Sequence, residues 1–280
     1  MGYNSKFLIV LTACVCITFL SIKIGVLAGP AVPSVSNPIA TDPIDLGACS
    51  TVVIWCNATI SDVDGWDTID KVNATLWNYS STTEEVSDDG SNHYTNYSCV
   101  LGTNTTPTDG PVNCSFTLQY YANPGEWTCK IYVNDTVGEV GSNFTNLTIN
   151  TLRALDAEDT INFGSLAPGG TSPEDVNNTV TNCGNAPIDL NLTGTNITNA
   201  SASVTNISVG NVKYNVTDWN QSYTDNMTSL TETSTHADFT LAKRTNGVST
   251  NKTYWKITIP AVIENFVYTG NITFTAVVDT

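Results

Sequence analysis

Nineteen Asn-x-Ser/Thr triplets run from Asn57 to Asn271, and in many the middle residue is apolar. Phe144, Leu147, Leu192, Ile197, Ile207, Val216, Met227 and Ile272 all hold that place. On an extended strand, positions i and i+2 face one side and i+1 the other. An Asn-apolar-Thr triplet therefore exposes the asparagine and its hydroxyl partner while burying the residue between them. The pattern confines much of the chain to half-buried strands, and such triplets accept N-glycan only in an exported chain. The acceptors expected are Asn57, Asn73, Asn78, Asn96, Asn104, Asn134, Asn143, Asn146, Asn191, Asn196, Asn199, Asn206, Asn215, Asn220, Asn226, Asn251 and Asn271. Asn191, Asn206, Asn215 and Asn271 are the best placed. Asn113 and Asn177 are set aside, because Cys114 occupies the middle of one triplet and the other reads as a tight turn.

A chain of 280 residues suits two domains, each burying its own core. Charged residues make up only 13%, with a net charge of −16, and no basic patch occurs. This balance excludes nucleic acid and anionic headgroups as partners. Few Lys and Glu argue against long exposed helices, whereas Thr, Val and Tyr favour strands.

An apolar run, Phe7 to Ile22, follows Lys6 and leads to Val26-Leu27-Ala28. It reads as a secretory signal over residues 1–28, cleaved after Ala28. An uncleaved anchor is the alternative and the only expected route to membrane contact. Cys14 and Cys16 fall within that run. Six cysteines remain, an even number that points to disulfides in an oxidising space; no CxxC or CxH pair suggests a metal. Residues 29–47, with Pro30, Pro33, Pro38 and Pro43, read as an extended Pro-rich arm or linker. Residues 48–151 and 152–280 then form two all-β domains, because short alternating runs are separated by turn residues such as Asp88-Asp-Gly90, Thr108-Asp-Gly110 and Asn123-Pro-Gly125.

Pro124-Gly-Glu-Trp-Thr-Cys129 resembles the approach to the penultimate strand of an immunoglobulin-like sandwich, with an aromatic two residues before the cysteine. Cys56 holds the second-strand position, and the resemblance implies a Cys56–Cys129 bond. Trp127 stands where that fold carries Tyr, and no core Trp is evident on the third strand unless Trp66 or Trp77 serves. Trp55 to Trp66 likewise resembles the opening of Ig-like modules in archaeal envelope proteins. In the second domain, Ile161 to Gly170, Asn178 to Asn182, Gly184-Asn-Ala-Pro and Ile188-Asp-Leu-Asn-Leu192 resemble camelysin-like and biofilm-fibre β-sandwiches. There Ile188, Leu190 and Leu192 are expected inside and Asp189 and Asn191 outside. Cys99 and Cys114 flank a loop of hairpin length and are natural partners, which leaves Cys49 for Cys183 by elimination.

No catalytic constellation stands out. His93 and His236 lie among polar residues and read as surface loop histidines, with no Gly-x-Ser-x-Gly elbow. Glu84-Glu85 and Asp88-Asp89 can be posed as glycosidase carboxylates, but no aromatic sugar platform is evident beside them. Asp62, Asp64 and Asp67 around Gly65, with Asp70 beyond, are the best calcium candidates; Asp156, Glu158 and Asp159 form a weaker acidic group. No other cofactor is expected. The expectation is a non-enzymatic, secreted or cell-surface structural glycoprotein that self-associates into a filament or surface layer. Strand donation by the arm, through Val32, Val35 and Ile39, is one route to assembly. The alternative is a monomeric adhesin or receptor-like ectodomain. Glycan excludes contact, so binding is left to the arm, the domain junction and the triplet-poor stretch 152–174.

Overall fold

The computed structural model describes residues 29–199 and 205–279. The proposed signal segment, residues 1–28, lies outside the described residues. Alternation of buried and exposed residues sets the first eight strands: β1 (Ser34–Ala40), β2 (Thr51–Ser61), β3 (Ile69–Trp77), β4 (His93–Asn96), β5 (Val100–Leu101), β6 (Asp109–Gln119), β7 (Gly125–Asp135) and β8 (Val140–Ile149). They pair antiparallel in two sheets, ordered β1-β2-β6-β5 and β4-β3-β7-β8. The apolar faces of β2, β3, β6 and β7 meet between these sheets, around the fully buried Trp127, Leu76, Leu118 and Ile131. This is an immunoglobulin-like sandwich, with Cys56 on β2 bonded to Cys129 on β7 across the core.

The arm does not hang free. Val35 and Ile60 pair across β1 and β2, and Val35, Ile44 and Leu46 belong to the first core. Pro38 sits where the register shifts, beside Asn37 at φ 48°, and β1 is an edge strand, so the missing proline donor costs no ladder bond. Beyond it, Ile44 donates to Thr148 O at 2.8 Å and accepts from Asn150 N at 2.9 Å, crossing to β8 on the opposite sheet. The first sandwich therefore begins near Pro33 rather than at residue 48.

Trp127 supplies the corner bond expected of a tyrosine: its Nε1 donates to Asn123 O at 2.9 Å. Leu76 fills the third-strand core position, while Trp77 faces the other way. Gly110 is not in a turn but in β6, where a Cβ would meet the Trp66 ring at 2.5 Å.

The second sandwich comprises β9 (Leu155–Ala157), β10 (Val176–Asn182), β11 (Ile188–Gly194), β12 (Val212–Asn215), β13 (Thr228–Ser229), β14 (Thr235–Leu241), β15 (Thr250–Ile257) and β16 (Ile272–Val278). Its sheets run β13-β12-β15-β10-β9 and β14-β11-β16. Trp255, Val180, Ile188, Leu190 and Leu192 fill the space between them. Asp189, expected outside, is buried: β14 bulges over it, and its Oδ1 accepts from Thr240 N at 2.7 Å.

The two sandwiches are clamped together. Cys49 bonds Cys183, with Cα atoms 4.5 Å apart, and Cys49 N donates to Cys183 O at 3.1 Å. The buried Asn185 amide donates to Ala122 O and Asn150 O, both at 3.0 Å, and its Oδ1 accepts from Leu152 N at 2.7 Å. Lys243 reaches Asn123 Oδ1, and the Arg244 guanidinium lies 4.4 Å above the Tyr121 ring. The third pair, Cys99 and Cys114, closes within the first domain.

Candidate functional site

Strand geometry sorts the glycan acceptors. Asn146, Asn206, Asn226 and Asn271 are exposed, and Leu147, Ile207 and Met227 are buried behind the first three as alternation requires. Asn57, Asn73 and Asn191 are half-buried, with Ala58, Ala74 and Leu192 inside. Three triplets break the rule, the first being Asn96, half-buried while Tyr97 is 79% exposed. Asn78 has left the end of β3 and is 2% exposed, while Tyr79 projects outward. Asn143 turns toward β1, donating its Nδ2 to Val35 O at 3.1 Å, and Phe144 is 54% exposed. Several acceptor amides are already engaged: Asn96 Nδ2 with Ser115 O at 2.9 Å, Asn215 Nδ2 with Asn226 O at 3.0 Å and Asn196 Nδ2 with Glu232 at 2.8 Å. Asn104, Asn134, Asn199, Asn220 and Asn251 lie on loops or outer strand positions, none of them in either core.

The Asp62 loop builds a turn. Asp62 Oδ1 accepts from Asp64 N at 2.9 Å and its Oδ2 from the Thr68 hydroxyl at 2.8 Å; Asp64 Oδ2 accepts from Ala31 N at 2.7 Å. These carboxylates spend their oxygens on backbone and hydroxyl donors. Among the described residues no three His, Cys, Asp or Glu gather as metal ligands would, so Asp62, Asp64 and Asp67 are not assembled into a calcium site.

Neither histidine lies on a loop, and only His236 is at the surface. His93 begins β4 and is buried, with Nδ1 2.7 Å from Asp88 Oδ1 and Nε2 2.9 Å from Glu84 O. It pins the 78–92 loop over the outer face of β3 and β7. Asp89 caps the same loop, accepting from the backbone N–H of Ser91, Asn92 and His93. Burial pushes its carboxyl up, but these bonds, led by Asn92, outweigh burial and hold it below its ordinary value. Burial raises the Tyr94 phenol, whose oxygen accepts from Gln119 N, and burial lowers the Lys243 ammonium at the domain junction. His236 lies on β14, 3.5 Å from Asp189 and 3.3 Å from Asp238, with no nucleophile placed against it by these contacts.

An apolar concavity lies in the second sandwich. A cleft of about 540 Å³ opens between residues 160–168 and 257–269. Ile161, Phe163, Leu166, Ile259 and Ile263 line it, packed against the core, and Ile197 and Ile207 close its floor. The Tyr268 hydroxyl is buried there without a hydrogen-bond partner among the described residues. At the rim, Val262 and Val267 are each 82% exposed and Phe266 also faces solvent. No triplet falls within 152–174 or 252–270. The first of these stretches is legible as triplet-poor; in the second, Trp255, Ile257 and Ile259 alternate as a strand, but Val262, Phe266 and Val267 beyond Pro260 follow no strand period.

No protein-family model matches the chain, and no curated protein matches it. Among solved structures it is similar to Escherichia coli α2-macroglobulin in its native conformation, at 12% identity and TM-score 0.27, over 86% of this chain and 16% of that one. It is also similar to a carbohydrate-binding module of the β-sandwich superfamily, at 15% identity and TM-score 0.25, over 88% and 97% of the two chains. A third likeness is to the C-terminal domain of the Streptococcus agalactiae antigen I/II polypeptide BspA, at 10% identity and TM-score 0.22, over 88% and 96%. Likenesses at these values carry no argument; the sheets establish the sandwich architecture by themselves. The chain spans only 16% of the macroglobulin's length. The three disulfides fit an extracellular protein. Among the described residues no helix is long and apolar enough to cross a membrane.

Proposed function

We propose that this chain is a non-enzymatic, secreted structural glycoprotein of the archaeal-envelope kind, a subunit that self-associates into a surface filament or layer through the cleft of its second sandwich. One observation carries the reading: the apolar cleft and its exposed rim of Val262, Phe266 and Val267 fall in stretches without glycan acceptors, on a chain that otherwise carries nineteen. Contiguous exposed apolar surface on a soluble protein marks a contact. An extended segment of a neighbouring copy, with alternate apolar side chains and a carbonyl for the Tyr268 hydroxyl, matches the lining. The arm is a poor donor, because leaving β2 would strip Val35, Ile44 and Leu46 from the first core. A monomeric adhesin using the same cleft is the competing reading.

The test is electron microscopy and sedimentation of the glycosylated chain beside Phe266→Asp and Val267→Asp variants. Ordered polymers from the parent chain, lost in both variants while each variant melts as the parent monomer does, is the expected result. A parent chain that stays monomeric at all concentrations, or variants that polymerise normally, would sink the proposal. An intact mass equal to the bare chain would sink the glycoprotein part alone.

A further inference from the structure

The outer face of β3, β7 and β8 carries a second concavity, of about 490 Å³, lined by Trp77, Glu84, Thr128, Lys130, Ser142, Asn143 and Phe144; Asn143 has its amide nitrogen engaged with Val35 O, while Asn146 adjoins the cleft through its bond to Thr128. Strand register arranges it in rows. Asn146 on β8 stands opposite Thr128 on β7, which stands opposite Trp77 on β3; in the next row Phe144, Lys130 and Thr75 stand in line. An acceptor asparagine and two aromatic side chains thus share one face, with Phe144 two positions before Asn146. The loop pinned by His93 brings in Glu84, whose Oε2 lies 3.1 Å from Lys130 Nζ and whose Oε1 accepts from Thr75 Oγ1 at 3.1 Å. The sequence pointed to no aromatic platform beside Glu84; the sheet supplies it from two other strands.

We propose that this cleft is the cradle of the glycan on Asn146, with the first sugar rings lying against Phe144 and Trp77. The inference rests on the glycoprotein reading above. Three features single out this acceptor. Asn146 is exposed, and its Oδ1 accepts from Thr128 Oγ1 at 3.0 Å, which fixes the amide plane. That bond leaves Nδ2 for glycosylation, since the acceptor role belongs to the oxygen. Phe144 is a large apolar side chain exposed on an outward strand position with no protein side chain assigned to cover it, which is costly unless something does. The C–H face of a pyranose is apolar and complements the negative face of an aromatic ring. Its hydroxyls meet Lys130 and Glu84 at the cleft edge, as polar groups fix orientation in otherwise apolar sites.

In the covalent step, Asn146 Nδ2 attacks the anomeric carbon of a lipid-linked oligosaccharide, the C–O bond to the prenyl-phosphate breaks with its electron pair leaving on the phosphate, one N–H proton passes to a base of the transferase, and the primary amide becomes a neutral secondary amide. The host supplies both the lipid-linked donor and the transferase. The Thr128 bond survives, because Oδ1 takes no part.

The test uses the full chain from a host that installs N-glycans. Glycopeptide mass spectrometry reads occupancy at Asn146, and melting temperatures are compared for the parent, Asn146→Gln, Phe144→Ala and the double variant. Phe144→Tyr, which keeps the ring, guards against a general effect of substitution. Expected are a glycosylated Asn146 and a loss of about 2–4 °C on Asn146→Gln in the Phe144 and Tyr backgrounds, the scale of one stacking contact. That loss should vanish in the Ala background, and sugar-ring protons should shift upfield only where the aromatic ring is present. An equal loss in all backgrounds, or a bare Asn146 while other acceptors are glycosylated, overturns the cradle and leaves the coat reading standing. A chain bare at every acceptor overturns both.

Discussion

Lys256→Met should be among the most damaging single changes in the second sandwich. Lys256 lies between the core residues Trp255 and Ile257 on β15, at the outward phase of the strand, yet its side chain is almost wholly buried beside Asp175, whose side chain is fully buried. The ammonium sits 3.3 Å from Asp175 Oδ1 and donates to Gln221 O at 3.0 Å, while Asp175 Oδ2 accepts from Asn220 N. This pair ties the 216–226 loop, which carries Asn220 and Asn226, to the sheet. Removing the cation leaves a carboxylate with one backbone donor and no counter-charge, a loss of about 3–5 kcal/mol. At roughly 4 °C per kcal/mol for a domain of this size, the melting temperature should fall by about 12–20 °C. Asp175→Leu combined with Lys256→Met removes both charges and should recover most of that loss, because well-packed apolar replacements of buried pairs are often neutral. Calorimetry with disulfides intact measures all three chains. A single variant within about 1 kcal/mol of the parent, or a double variant no better than the single, would refute the argument that desolvated charge dominates here.

Two further perturbations probe the first sandwich. Gly110→Ala sets a Cβ 2.5 Å from Trp66 Cη2 and should cost about 1–3 kcal/mol with a red-shifted indole emission; unchanged stability would mean the ring has room to move. Asp89 has its folded value held below the ordinary 3.8, so its contribution is present above that value and is lost as pH falls through the lower folded one. The melting-temperature gap between the parent and Asp89→Asn should accordingly close as the pH drops below 3.8, and a gap that widens toward acid would contradict the capping account.

Much of the fold was legible because alternation is a local signal. The runs of β2, β3, β7 and β11 announce their buried faces, and the three cysteine pairs match the pairing read from resemblance, spacing and elimination. The failures are tertiary. The arm reads as a linker because its prolines dominate locally, and only the presence of β2 makes Val35 a core residue. Asp189 and Lys256 stand at outward phases of their strands, but second layers close over them. One failure was avoidable. Asn143 and Asn146 lie three positions apart on one strand, so strict alternation forbids both from facing out. Parity alone assigns Asn146 to solvent with Leu147 inside, and Asn143 to the β1 side with Phe144 outside. That same exposed Phe144 is what makes the cradle possible, and counting triplets without their phase conceals it.

The junction matters to both functional readings for a mechanical reason. On the proposed glycoprotein reading, a freely swinging first sandwich would leave any glycan on β3, β7 or β8 without a defined position relative to the second sandwich. The Cys49–Cys183 bond, Asn185 bonded to both units, and the Arg244–Tyr121 contact remove that freedom. On that reading, the acceptor-bearing faces and the cleft keep a fixed relation to each other. A cradle at Asn146 extends the same logic to the sugar: a glycan lying along Phe144 and Trp77 is confined to its own sheet, and the surface it covers is decided by the fold rather than by diffusion of the chain.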